Sequence, residues 1–246
     1  MHKAIRVGVA GFGIVGRRRY SCVEVIDGMS VVSVCDENPR ALTTVPDGVE
    51  VHADYESLLG DDLDAVFVCM SNDMTAEVSV SALERGLHVF CEKPPARTME
   101  ELVTVMKAER ERPDLKLMYG FNHRYHESVE DALRIVHSRE LGEVVSLRSV
   151  YGKSQLVTFD QSDWRTKREV AGGGVLLDQG IHMVDLIRLF GGEFEEVHSF
   201  ISNEHWGYDV ERLDRTVLGP LTKKDLPRGH WRALDREELN LLRMSL

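Results

Sequence analysis

The stretch Gly11-Phe12-Gly13-Ile14-Val15-Gly16 has the residue types and spacing of a phosphate cradle. In a turn from strand to helix the first glycine permits a tight bend and the second lets the backbone approach a pyrophosphate. The third allows close helix–strand packing, and the free N–H groups of the helix start face the anion. Alone, such a pattern is common in loops. Asp36, however, stands twenty residues after Gly16, at the end of a second apolar run. A carboxylate there accepts hydrogen bonds from both ribose hydroxyls of adenosine and repels a 2′-phosphate. The two features together point to NAD, with NADP the less favoured form.

A second constellation lies far downstream. After Gly172-Gly173-Gly174, the residues Asp178, His182 and Asp185 fall at i, i+4 and i+7 and so share one helix face. Leu177, Ile181 and Val184 lie beside them on the core-seeking side. A polar stripe of this kind is a solvated face in most helices. The glycine triplet favours a site, because it lets a ligand or another segment approach the helix start closely. Arg17-Arg18-Arg19, in the first turn of the opening helix, read as solvated surface residues, with a phosphate contact by one of them as the alternative.

The elements that must carry these groups follow from periodicity. Apolar runs at Ile5–Ala10, Val31–Cys35, Asp64–Cys69, Leu87–Cys91 and Leu115–Tyr119, with a short one at Val49–Ala53, alternate with helical patterns. The helices are expected over 14–26, 55–59, 75–85 and 98–111, the last opened by a capping box of Thr98 and Glu101. That alternation means βαβ crossovers and a mostly parallel sheet covered on both faces. Beyond it come a helix over 128–138, a long strand over 144–151, an irregular polar stretch over 152–171, the helix ending at Phe190, and a strand over 194–203.

Composition bounds the function classes. The chain has 246 residues, 43% hydrophobic and 29% charged, as in globular proteins, and a net charge of −11. That charge argues against a nucleic-acid or anionic-membrane surface. No apolar run reaches the ~20 residues of a membrane helix, and the N-terminus leads straight into a strand, so a cytoplasmic address is the default. The four cysteines, Cys22, Cys35, Cys69 and Cys91, have no metal-type spacing, so no metal is expected and they read as reduced thiols.

Over residues 3 to about 210 the chain resembles the glucose–fructose oxidoreductase / inositol dehydrogenase (Gfo/Idh/MocA) family of NAD(P)-dependent sugar oxidoreductases. The resemblance rests on the glycine turn, Asp36, Glu92-Lys93-Pro94, Gly120-Phe121-Asn122-x-Arg124, and Gly172-Gly173-Gly174-x-x-x-Asp178-x-Gly180-x-His182. It implies an α/β protein with an N-terminal Rossmann domain over 1–120 and a C-terminal α/β domain over 121–211 whose open sheet covers the nicotinamide. The activity implied is hydride transfer between nicotinamide and a secondary hydroxyl of a sugar, cyclitol or sugar nucleotide. Two alternatives stand beside it: a non-catalytic NAD-binding remnant or regulator, and an NAD-dependent glycosidase of the same family.

The resemblance places Lys93, Asp178 and His182 around the reacting carbinol. An imidazole titrates near the operating pH, so His182 is the first choice for the acid/base, and Lys93 could polarise the substrate oxygen or take the proton itself. The implied cofactor contacts are Gly11, Phe12, Gly13, Ile14, Val15, Gly16, Asp36, Ser71, Asn72, Glu92 and Lys93. Thr75 stands where the family commonly has histidine. Asn122, Arg124, Tyr151, Lys153, Trp164 and Arg165 are candidates for the substrate side, where cations would suit a phosphorylated, carboxylated or nucleotide-linked sugar. A homodimer or tetramer through the C-terminal sheet is expected.

The pattern fades near Val210-Glu211. Residues 212–246 carry eight Lys/Arg and five Asp/Glu, a net of +3 against −14 before them. The expectation is an atypical basic tail produced by truncation or a frame change, an incomplete sheet in the second domain, and one short helix near Leu234–Leu242.

Overall fold

Six short apolar segments pair into one sheet. They are β1 (Ile5–Ala10), β2 (Met29–Cys35), β3 (Glu50–His52), β4 (Ala65–Val68), β5 (His88–Cys91) and β6 (Leu117–Tyr119). Their order is β3-β2-β1-β4-β5-β6, with every neighbouring pair parallel. The computed structural model describes residues 4–151, 164–174 and 176–198, together with the backbone of 200–202, 210–212, 217–218 and 221–222.

β1 is central because its residues bury on both faces: Val7, Val9 and Ala10 are fully enclosed. A parallel strand has no solvent face, so a continuous apolar run rather than an alternating one specifies it. The crossovers are α1 (Ile14–Val23), α2 (Pro39–Leu42), α3 (Tyr55–Leu58), α4 (Asn72–Glu84) and α5 (Met99–Glu111). One core lies under α1, around Val7, Phe12, Val23 and Val34. The other gathers Leu58, Val66, Val78, Leu83 and Cys91. α1 ends at Val23 rather than Ile26, since Val25 faces solvent and gives a further turn nothing to bury. α5 starts as its capping box requires, the Thr98 side chain accepting from the Glu101 N–H. All four cysteines are free thiols, and burial pushes those of Cys35 and Cys91 up to about 12.

After β6 the chain makes a 3-10 turn, Asn122–Tyr125, and then α6 (Glu127–Ser138). The strand expected over 144–151 does not form: these residues carry no regular structure and are exposed. Their sequence suits a strand, but strand propensity is realised only against a pairing neighbour, and the described residues supply none. Within the stretch read as irregular, Trp164–Thr166 forms a 3-10 turn and α7 (Arg168–Ala171) follows. Leu176–Gly180 forms a π-helical turn that leads into α8 (Ile181–Gly191).

α7 and the glycines are tied back to the sheet domain. The Asn72 Nδ2 donates to the Ala171 carbonyl at 2.8 Å, and Arg97 donates to the Glu169 carbonyl. Gly172, at φ +79°, comes so near Arg97 that a Cβ there would sit 2.5 Å from the Arg97 Cβ. The first compact unit, to which these contacts belong, runs to Glu193. The second unit, Phe194–Leu246, shows two antiparallel ladders. One joins β7 (Phe200–Ser202) to β8 (Val210–Arg212), and the other β9 (Val217–Leu218) to β10 (Leu221–Thr222). Of the strand expected over 194–203, Phe200–Ser202 pairs, while the described residues 194–198 carry no regular strand. Lys153 and the helix expected near Leu234–Leu242 lie outside the described residues.

Candidate active site

The sheet reverses its winding at β1, with β2 on one side and β4 on the other, so a crevice opens at the carboxyl ends of these strands. The glycine turn fills that position. Gly11 has φ +89°, and a Cβ there would lie 2.5 Å from the Cys69 carbonyl oxygen; one on Gly16 would lie 1.9 Å from the Gly11 carbonyl oxygen. Both glycines serve the fold. Gly13 differs, because a Cβ on it would meet nothing within 4 Å. Its open face, beside an α1 start without a side-chain cap or an acidic residue, fits a pyrophosphate. Ile14 and Val15 are exposed there, while Phe12 is buried in the core.

Asp36 closes the same crevice. Its Oδ2 accepts the Phe12 N–H and its Oδ1 the Asn38 N–H, each at 2.8 Å, which aims the carboxylate across the turn. Beyond it lies a cleft of about 270 Å³ between Asp36, Tyr55, Met70 and Met74. Four more carboxylates line it, Glu37, Asp54, Glu56 and Glu77. The cleft fits an adenosine moiety in shape, with thioethers and a ring for the base, and its charge disfavours an added phosphate.

Arg19 departs from the surface reading. Its Nε donates to Glu92 Oε1 at 2.7 Å, and its guanidinium lies 5.0 Å from the Phe90 ring centroid. It therefore holds the Glu92-Lys93-Pro94 turn against α1, whereas Arg18 is exposed as expected. The Lys93–Pro94 peptide bond is cis. Gly120 leaves room for the Glu92 carboxylate, since a Cβ there would be 2.8 Å from its Oε2.

Lys93, Asp178 and His182 come together, although 85 residues separate Lys93 from Asp178. The Lys93 ammonium donates to the Asp178 carbonyl oxygen at 2.6 Å and to its Oδ1 at 2.9 Å. Gln179 Nε2 donates to Asp178 Oδ2 at 2.7 Å. Burial pushes the Asp178 carboxyl up, but the Gln179 amide and the Lys93 charge outweigh it and hold the group below the ordinary carboxylate value. The polar face of α8 is the enclosed one: His182 and Asp185 are its buried residues. Desolvation, with His123 and Lys93 adding to it, lowers His182 to about 4. Its Nδ1 is buried without a hydrogen-bond partner.

Arg124 clasps Asp185, its Nε donating to Oδ2 at 2.7 Å and its Nη2 to Oδ1. His123, which the sequence motif leaves open, stacks on His182 with ring centroids 4.2 Å apart and planes 9° from parallel. Tyr151 lies over His123 at 5.9 Å. Arg165 sits 4.4 Å from the Trp164 ring centroid and near enough to Asp178 to favour its charge. Asn122 is exposed on its 3-10 turn. Asn72 spends its amide on Ala171, and the Ser71 hydroxyl donates to Asp73. No residue type or spacing signalled His123 or Arg19; their partners are distant in sequence. Among the described residues no His/Cys/Asp/Glu cluster could hold a metal, and no helix is long and apolar enough to cross a membrane.

Two models of one family match the chain. Residues 5–121 match the oxidoreductase family, NAD-binding Rossmann fold, and residues 129–218 match the GFO/IDH/MocA C-terminal domain. The second match runs past Val210-Glu211, where the sequence pattern fades. A levoglucosan dehydrogenase of Pseudarthrobacter phenanthrenivorans is 31% identical over 195 residues, 78% of this chain and 50% of that protein. A D-xylose 1-dehydrogenase (NADP(+)) of Haloferax volcanii is 32% identical over 197 residues, 76% of this chain and 59% of that protein. Among solved structures, a myo-inositol 2-dehydrogenase of Lactobacillus plantarum superposes with a TM-score of 0.66 at 26% identity, over 77% of this chain and 57% of the other. The chain thus spans about half the length of the relatives it matches.

Proposed function

The chain belongs to the GFO/IDH/MocA oxidoreductase family, and on that premise we propose that it transfers a hydride between NAD and a secondary hydroxyl of a sugar, cyclitol or sugar nucleotide. The observation that carries this reading is the junction of Lys93 with Asp178 and His182 at the carboxyl edge of the sheet. When bound, the nicotinamide supplies the hydride acceptor or donor. Gly13 and the α1 start hold the pyrophosphate, and Asp36 takes the adenosine ribose hydroxyls. The five carboxylates of the adenosine cleft support NAD over NADP.

Oxidising a carbinol requires the hydroxyl proton to leave as the hydride does. An ammonium ion-paired to a carboxylate is a donor, so Lys93 polarises the substrate oxygen while Asp178 orients its Nζ. An uncharged imidazole is an acceptor, so His182 Nε2 takes the proton. Self-association is part of the same reading, supported by the exposed apolar run through Val145 (97% exposed) and Val150 (78%).

The test is stopped-flow absorbance at the reduced-nicotinamide band, with NAD or NADP and a panel of sugars, cyclitols and sugar nucleotides. Reduction by at least one of them, abolished in His182→Ala and Lys93→Ala, is the expected result. NAD binding without hydride transfer to any of the panel would sink the reading, as would unchanged rates in both variants.

A further inference from the structure

We propose that His123 is a positioning residue for His182: stacked face to face on the His182 imidazole, it fixes the plane of that ring and keeps it uncharged when substrate arrives. The proposal rests on the reading of His182 as the proton acceptor. Its basis is the enclosure of the ring. His123 covers one face at 4.2 Å, and Phe121 approaches edge-on at 6.2 Å with planes 86° apart. Tyr151, stacked on His123 at 21°, makes the pair a three-ring pile.

Charged groups face the pile from several elements. Lys93 faces His182 from the turn after β5, and His126, the residue between the 3-10 turn and α6, faces His123 at 5.6 Å. Two carboxylates face the rings and would ordinarily stabilise an imidazolium. Asp185, on α8 with His182, has both oxygens taken by Arg124, and Asp178, on the π turn, has its oxygens taken by Lys93 and Gln179. A proton on either stacked ring therefore repels a second one on the other, so the two titrate as a coupled pair. Burial lowers His123 as well, with His126 adding to the effect.

The experiment is an NMR pH titration of the imidazoles in the full chain with NAD, comparing wild type with His123→Phe, which keeps a stacked ring but removes the titrating neighbour. His123→Asn is the second variant should the first fail to fold, as judged by circular dichroism. The His182 midpoint is expected to rise by about half a pH unit or more. The acid limb of kcat/KM should move up by the same amount, because a higher midpoint protonates the acceptor sooner as pH falls. An unmoved His182 midpoint in a folded variant overturns the proposal. Retained turnover in His182→Ala overturns instead the reading of His182 as acceptor, and leaves the titration result to stand by itself.

Discussion

Lys93 Nζ reaches both the main-chain carbonyl and the carboxylate of Asp178, at 2.6 and 2.9 Å. One ammonium thus fastens the π turn before α8 to the turn after β5. Lys93→Met should therefore lower kcat by about 10²- to 10⁴-fold, as loss of a proton-handling or charge-stabilising group does. Fluorescence titration should find NAD affinity changed less than kcat, since the proposed pyrophosphate and ribose contacts are with Gly13, the α1 start and Asp36.

The glycine turn predicts a split between fold and binding. Gly16→Ala puts a methyl 1.9 Å from the Gly11 carbonyl oxygen and should lower Tm markedly. Gly13→Ala meets no protein atom within 4 Å, so Tm should stay while NAD binding weakens by about tenfold or more, a cost of ~1.4 kcal/mol. Calorimetry of both variants with and without NAD separates the two effects.

The clasp of Arg124 on Asp185 predicts non-additive energetics. The Asp185 side chain is only 8% exposed, so Arg124→Met strands a charge and should destabilise by about 3 kcal/mol in urea unfolding. The double variant Arg124→Met with Asp185→Leu should recover much of that loss, because no uncompensated charge remains. Equal instability of the single and double variants would mean that packing, not charge, carries the pair.

Acid sensitivity follows from His182, whose folded value of about 4 lies below the ordinary 6.5. The unfolded chain binds this proton more readily. The contribution is therefore complete above about 6.5 and is lost as pH falls from there through about 4, by roughly 3 kcal/mol in all. Urea midpoints measured between pH 7 and 4.5 should fall less steeply in His182→Gln than in wild type.

The parallel sheet was legible because its signals are local. Ile5–Ala10, the glycine turn and the start of α1 follow one another directly, and buried parallel strands announce themselves as apolar runs. Val144–Tyr151 had an equally good strand pattern and did not become one, for a strand needs a partner that no run of eight residues can specify. The π turn at Leu176–Gly180 kept the shared face of Asp178 and His182 without the regular helix the spacing assumed.

Residue order by itself determined the βαβ half and its glycine turn, since each is read within one element or one motif; Asp36, Lys93, Asp178 and His182 were named as candidates by spacing and by resemblance to a family. Tertiary structure alone decided that Arg19 braces Glu92, that Arg124 neutralises Asp185 and that His123 stacks on His182. Those pairs join residues 73, 61 and 59 positions apart. Only tertiary packing, of α1 on the sheet in the first pair and of α8 on the turn after β6 in the other two, brings such groups within the few ångströms at which charge, hydrogen bonding and ring contact act.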